Sequence, residues 1–161
     1  HQDLLLNWLR GAYTMESSLL EILEEQSERS KEFPHLQQRL KEHHSQTRQH
    51  MTLVEDCIRR LNGKVPSLRA DISKVVGGAQ SKMMGIFKDS LVKDLVASAA
   101  SAELEIATYK SIIRLATRLG HGDIAQICQG ILQEEETMLH FLNDQIDPII
   151  DEAYERQILL N

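Results

Sequence analysis

The stretch AELEIATYKSIIRLATRLGHGDIA, residues 102–125, carries one helix to its end and begins another. Apolar or small side chains recur along it at alternating steps of four and three, the period of a helix that packs on its neighbours. The GHGD sequence after Leu119 predicts a tight turn, with Gly120 capping the first helix and Asp123 as the N-cap of the second. The stretch therefore predicts a helical hairpin.

The same pattern extends in both directions and sets the length of the hairpin. It predicts a helix over about 89–119 and another from 122 to Pro148, where proline interrupts or ends it before a short segment at 149–160. The predicted inward positions are Leu91, Leu95, Ser98, Ala102, Glu105, Tyr109, Ile112, Ala116 and Leu119 on one helix, and Ile124, Cys128, Ile131, Glu135, Met138 and Leu142 on the other.

Two more helices precede this hairpin, over about 3–30 and 35–62. Pro34 separates them, and Asn62-Gly63 ends the second. Residues 63–90 have a weaker pattern with room for short helices, and they are long enough to cross the length of a bundle. The chain is therefore predicted to be all-α, a single domain over 1–161 that forms an antiparallel four-helix bundle with a long crossover, the connectivity of ferritin-like folds.

Composition excludes several classes of partner. Of 161 residues, 42% are hydrophobic and 4% aromatic, which favours a globular helical protein. The formal charge of −6 and the absence of a basic block predict no binding to nucleic acid or to an anionic membrane surface. No run of 18 apolar residues occurs. Cys57 and Cys128 lack metal-binding spacing and fit apolar helical positions, so we expect reduced thiols and a cytoplasmic protein.

Each predicted inward stripe is interrupted by polar residues near its middle. At about 1.5 Å of rise per residue, Glu105 and Glu135 lie at nearly the same height in their hairpin, and so do Glu16 and the group on helix two. Together these positions predict one polar layer across the bundle, made by Glu16, His43, Gln46, His50, Glu105 and Glu135.

Buried carboxylates cost several kcal/mol each unless they are protonated, hydrogen-bonded or bound to a cation. Four-helix bundles hold two irons or manganeses with one Glu from each of two helices and a Glu-x-x-His pair from each of the others. This chain matches the pattern in part, because Gln46 stands where Glu is wanted and Met138 stands where His is wanted. Three interpretations remain open: a metal site, acids hydrogen-bonded to His43, His50 or Tyr109, and solvated acids.

Four stretches together have a recognisable family pattern: LLLNWLRGAYTMESSLLEIL (4–23), LKEHHSQTRQHMTLVEDC (40–57), the stretch quoted first, and LQEEETMLHFL (132–142). Through them the chain resembles the YciE/YciF-like family of ferritin-like stress proteins over nearly its whole length. The resemblance implies an all-helical bundle, often dimeric, linked to bacterial stress responses and carrying a proposed metal site. Glu16, His43, Glu105 and Glu135 fall where family members usually have the same residue, whereas Gln46 stands where many have Glu and Glu103 where many have His.

Two functional hypotheses follow. The first is a stress-associated bundle protein whose core binds iron or manganese; if it is an enzyme, the reaction is oxidation of Fe(II) or disposal of peroxide or oxygen. The second is a non-catalytic dimeric scaffold in which the polar layer only fixes helix register. Leu4, Trp8, Ile149 and Ile150 lie off the stripes or beyond the bundle and predict a homodimer surface.

Overall fold

The computed structural model describes residues 1–67 and 90–156, which form four long helices. Helix α1 spans Gln2–Arg29, α2 spans Pro34–Arg60, α3 spans Ser90–Arg118 and α4 spans Gly122–Glu155. The predicted all-α class is confirmed. The predicted crossover with its short helices lies outside the described residues.

The helix ends follow from local backbone rules. Pro34 is the first residue of α2, where its fixed φ suits a helix and its missing N–H would have no helical partner. Gly120 has φ +81°, which confirms its predicted capping role. The prediction for Asp123 is wrong: the N-cap of α4 is His121, and Asp123 lies in the first helical turn, where Arg60 binds its carboxylate at 3.0 Å.

Helix α4 also corrects the prediction that Pro148 ends or interrupts it, because the helix continues through Pro148 to Glu155. Proline in a helix interior costs about 3 kcal/mol, since it cannot donate to the carbonyl four residues earlier. Beyond Pro148, however, Ile149 and Ala153 are buried in the core. Fully burying one isoleucine contributes about 1.5–3 kcal/mol, so the tertiary contacts offset the local penalty.

Each helix packs antiparallel to two neighbours. Helices α1 and α2 form one hairpin and α3 and α4 the other; α1 also packs on α3, and α2 on α4. Arg29 near the end of α1 binds Asp94 near the start of α3, while Arg60 at the end of α2 binds Asp123 at the start of α4. Helices α2 and α3 are consequently a parallel diagonal pair, as the predicted connectivity requires.

The core confirms the predicted stripes. The positions predicted on α4 are buried, as are Leu95, Ala102, Glu105, Tyr109, Ile112 and Ala116 on α3, whereas Ser98 and Leu119 are half-buried. The side chain of Leu91 lies outside the described part of the chain. Apolar side chains form two separate clusters, one toward the α3–α4 turn and one toward the α1–α2 turn. The polar layer lies between them. None of the described helices is long and apolar enough to cross a membrane.

Candidate metal centre

Halfway along the bundle, carboxylate and imidazole side chains from all four helices meet in the core. Each is at most 4% exposed. Residues of this kind are seldom fully buried unless they are paired or bind a metal. The group consists of Glu16 on α1, His43 and His50 on α2, Glu105 on α3 and Glu135 on α4.

Glu135 lies at the centre of this group and faces both histidines. Its Oε1 is 3.3 Å from His50 Nδ1, and its Oε2 is 3.5 Å from His43 Nε2. Two three-residue sets result, Glu16 with His50 and Glu135, and His43 with Glu105 and Glu135; in each, the potential ligand atoms lie within 4.8 Å of one another. The carboxylate of Glu135 is common to both sets.

The second ring nitrogen of each histidine is held by an oxygen outside these sets. His50 Nε2 lies 2.6 Å from Oε2 of the half-buried Glu134, whereas His43 Nδ1 lies 3.3 Å from Oε1 of Gln46. Arg39 donates to that same Gln46 oxygen at 3.3 Å. The structure thus brings together five of the six predicted site residues and places Gln46 outside both three-residue sets, beside His43.

Tyr109 connects the site to the apolar core. Its side chain is fully buried, and its hydroxyl hydrogen-bonds Glu16 Oε1. The sequence leaves open a hydrogen bond between Tyr109 and a site acid, and the structure has one. The bond fixes one oxygen of Glu16 and leaves Oε2 for another partner.

Burial and mutual charge shift the pKa values of the acids in different directions. Burial, followed by the charges of Glu16 and Glu135, raises the pKa of Glu105 well above its usual range. Burial also raises the pKa of Glu16, although His50 partly opposes this. For Glu135, burial is outweighed by the imidazole rings of His50 and His43 beside its carboxylate, so its pKa is lowered.

The two histidines also differ. Burial lowers the pKa of His43. Burial acts in the same direction on His50, but the nearby carboxylates of Glu135, Glu16 and Glu134 outweigh it and raise the pKa of His50 to about 10. These shifts favour an imidazolium at His50 beside an ionised Glu135, and they favour the protonated form of Glu105.

Several buried site atoms lack a hydrogen-bond partner among the described residues: Glu16 Oε2, His50 Nδ1, Glu105 Oε1 and both oxygens of Glu135. Leaving a buried polar atom unsatisfied costs about 1–3 kcal/mol, so such atoms are rare and require an explanation. All five belong to the two three-residue sets and are atoms that coordinate divalent transition metals. The residues present therefore fit a pair of cations.

A cavity of about 20 Å³ adjoins one side of the layer, where His43 and Glu105 form part of its wall. Gln26, Met138 and Leu142 line it farther from the site. This volume accommodates a single water-sized molecule. The His43 side of the layer thus has space for a small ligand.

A model of the family described as a domain of unknown function, DUF892, matches residues 1–155. The chain belongs to the DUF892 family. The crystal structure of protein XCC3681 from Xanthomonas campestris is similar to it, with 29% identity, a TM-score of 0.83 and coverage of 97% of both chains.

Two other solved structures share the fold of this DUF892 chain at lower identity. The stress protein YciF from E. coli is 20% identical, with a TM-score of 0.75 over 89% of this chain and 92% of its own. A dodecameric thioferritin, the bacterioferritin-related protein of Bacteroides fragilis, is 20% identical, with a TM-score of 0.73 over 100% of this chain and 93% of its own. The match to the family model confirms the resemblance inferred from the sequence, and these two likenesses show the ferritin-like fold.

The DUF892 fold brings to the site one polar residue that the sequence does not predict there, Glu134, whose carboxylate contacts His50. Its signal in the sequence is weak, because a glutamate next to an inward glutamate is common on an exposed helix face. Glu103, which stands where many family members have His, is exposed. His140 on α4 pairs with Asp144 at the surface.

Proposed function

We propose that this protein is a stress-associated bacterial bundle protein that binds two divalent transition-metal cations, iron or manganese, in its core. One observation carries the proposal: Glu135 is shared by two buried sets of potential ligands, in which five atoms lack hydrogen-bond partners among the described residues. The ferritin-like fold and the similarity to a protein described as a stress protein support it.

The donor set suits iron or manganese better than softer metals. One cation would be held by Glu16, His50 and Glu135, and the other by His43, Glu105 and Glu135. Carboxylate and imidazole ligands favour these metals, and no thiolate lies in either set. Bound iron would supply one-electron chemistry for oxidation of Fe(II) by oxygen or peroxide.

The chain's own residues prepare the site by holding protons where cations would lie. With a pKa of about 10, His50 must lose its Nδ1 proton before it can coordinate, and the raised pKa of Glu105 acts in the same direction, so cation binding releases protons and strengthens as pH rises. Tyr109 holds one oxygen of Glu16, which orients the other. The two apolar clusters on either side of the layer limit the entry of bulk water.

The test is a titration of chelator-treated protein with Mn²⁺, or with Fe²⁺ under anaerobic conditions, followed by calorimetry and elemental analysis. We expect wild-type protein to bind two equivalents. Glu105→Ala removes a ligand of one cation and should bind one equivalent, whereas Glu135→Ala removes the shared ligand and should bind none. Cations at a hundredfold excess over Kd should also stabilise the wild type by about 2.7 kcal/mol per site.

Glu136→Ala and Glu103→Ala are matched controls, because each removes an exposed glutamate close in sequence to a site residue. Both should bind two equivalents. Two results would refute the proposal. One is a wild type that binds no cation in the titration, and the other is substoichiometric binding that is unchanged in the Glu105 and Glu135 variants. Oxygen or peroxide consumption by the Fe²⁺-loaded wild type then tests the oxidation step.

A second candidate function is a scaffold whose polar layer is purely structural, and the surroundings of His50 favour it. Protonated His50 lies within 3.6 Å of carboxylates of Glu16, Glu134 and Glu135, so the layer is partly neutralised without a metal. Under this hypothesis removal of Glu105 raises the melting temperature, because the substitution removes an uncompensated buried acid and does not remove a metal ligand.

We also propose that the protein forms a homo-oligomer, with a homodimer as the simplest case. A groove of about 400 Å³ between α1 and α3 is lined by Trp8, Met15 and Leu104, among others. Leu4 and Trp8 are exposed on this side, as the sequence predicted for a dimer surface, whereas Ile149 is buried in the bundle and Ile150 is half-buried. The dodecameric assembly of the Bacteroides fragilis protein supports self-association.

A further inference from the structure

The ring of His50 is held from outside the proposed metal site by a single carboxylate. Its Nε2 lies 2.6 Å from Glu134 Oε2, while its Nδ1 is turned toward Glu16 and Glu135. Only one ring nitrogen can face the cations, and a hydrogen bond at the other nitrogen selects which one. The contact with Glu134 leaves Nδ1 to coordinate.

The charges at the layer also assign a role to Glu134. Glu16, Glu105 and Glu135 offer three carboxylates, one negative charge fewer than two divalent cations require. Gln46 supplies no charge at the position where the ferritin-like pattern has a fourth glutamate. Glu134 contributes a fourth carboxylate on the far side of the His50 ring. Its hydrogen bond with Nε2 makes the ring a stronger metal ligand through Nδ1.

The contrast with His43 makes this contribution specific to one cation. The distal nitrogen of His43 faces the neutral amide oxygen of Gln46 at 3.3 Å, and Arg39 also donates to that oxygen. The His50 contact is shorter and involves a charged acceptor; hydrogen bonds to ionised groups are roughly twice as strong as neutral ones. The two halves of the site are therefore supported unequally.

We propose that Glu134 is a positioning residue, which orients His50 and thereby sets the affinity of the cation held by Glu16, His50 and Glu135. This rests on the proposed metal binding. The cation held by His43, Glu105 and Glu135 does not depend on Glu134 in the same way, because no contact joins Glu134 to His43 or Glu105 among the described residues.

The experiment compares Mn²⁺ titrations of the wild type, Glu134→Gln and Glu134→Ala by calorimetry after chelator treatment. We expect both variants to bind two equivalents, with one of the two steps weakened by about 10–100-fold in Glu134→Ala. Glu134→Gln keeps an acceptor oxygen without the charge and should fall between that variant and the wild type. The other step should remain at its wild-type affinity.

Glu136→Gln is the matched control, since it removes one negative charge two residues after Glu134. The side chain of Glu136 pairs with Lys110 and does not contact His50. Co²⁺ provides a second readout, because its visible absorption depends on its ligands. A change in coordination by His50 should alter the absorption of one of the two bound equivalents only. Circular dichroism verifies that each variant is folded, as expected for a side chain that is 43% exposed.

Four outcomes separate the proposals. Unchanged affinities in Glu134→Ala refute the positioning role and leave the metal site standing. Equal weakening in Glu136→Gln also refutes it, because the effect is then one of net charge. Equal weakening of both steps in Glu134→Ala contradicts the assignment to one cation. Absence of binding by the wild type overturns the proposed function and this inference together.

Discussion

His43 and His50 lie two turns apart on the same face of α2, yet their pKa values shift in opposite directions. Both are buried, and burial alone favours the neutral ring. The difference arises from neighbours on other helices: His50 meets carboxylates of Glu16, Glu134 and Glu135, whereas His43 meets Glu135 and the amide of Gln46. The protonation state of each ring thus depends on partners that α2 itself does not supply.

Protonation of His50 makes the stability of the metal-free protein depend on pH. Its pKa of about 10 in the folded chain exceeds the ordinary value of 6.5, so its contribution is fully present below pH 6.5 and is lost as pH rises toward 10. The pKa of Glu105 is also raised in the folded chain, so this residue too lowers the free energy of unfolding as pH rises above the ordinary pKa of a glutamate. We expect the melting temperature of chelator-treated protein to fall between pH 6.5 and 10.

His50→Gln should weaken this dependence, whereas His140→Gln, at an exposed histidine, should leave it unchanged. Calorimetric scans across the pH window measure the effect. A melting temperature that rises with pH in the metal-free wild type would contradict the assignment of a charged His50.

At the residue scale, most of the candidate site could be predicted from the sequence. Glu16, Glu105, Glu135, His43 and His50 occupy apolar positions of regular stripes, so helical geometry brings them inward at one height. The place of Gln46 and the contact of Glu134 with His50 could not be predicted. Both depend on side-chain torsions and on how far α2 and α4 are rotated about their axes, which the spacing of residues leaves open.

At the scale of elements, α4 shows how packing extends a helix past a local stop signal. Pro148 is exposed, while Ile149 and Ala153 after it are buried in the cluster toward the α1–α2 turn. Arg156 then donates to the carbonyl of Glu32 at 2.9 Å and lies over the ring of Phe33. These contacts tie the end of α4 to the loop between α1 and α2.

Pro148→Ala should stabilise the protein by about 1–3 kcal/mol, because alanine restores a backbone donor and is the best helix former. Urea unfolding of chelator-treated protein measures the change in the free energy of unfolding. Asp147→Ala is the control, since it changes an exposed neighbour within the same turn and should shift stability by less than about 0.5 kcal/mol. A loss of stability in Pro148→Ala would mean that α4 requires the bend that proline introduces.

The helix boundaries follow from the sequence to within about two residues wherever a local rule applies. Pro34, Asn62-Gly63 and Gly120 act through backbone conformation, which neighbouring residues largely decide. The errors at Asp123 and Pro148 occurred where a tertiary contact competes with the local rule. Asp123 is bound by Arg60 from α2, and the residues after Pro148 are held by the core.

At the scale of the whole molecule, the exposed apolar side chains predict self-association. Trp8 is 39% exposed and Leu104 52% exposed beside the groove between α1 and α3. We expect Trp8→Glu to shift the wild-type oligomer toward monomer, because a charge is then buried without a partner at the interface. Size-exclusion chromatography with light scattering measures the mass in solution.

Leu53→Glu is the matched control, since Leu53 is similarly exposed but lies on α2, away from the groove. It should leave the mass unchanged. A monomeric wild type would refute the homo-oligomer. An unchanged mass in Trp8→Glu would place the interface on another face of the bundle.

The sequence by itself determined the four helices, their inward stripes and the height at which glutamates and histidines interrupt those stripes, because these follow from the 3.6-residue period and from local caps. The tertiary structure alone decided that Glu135 faces both histidines, that Glu134 holds His50, and that α4 continues past Pro148. The physical reason is that hydrogen bonds and pKa shifts depend on distances of a few ångströms between helices. Those distances are set by how whole helix faces pack, and periodicity along one chain does not contain them.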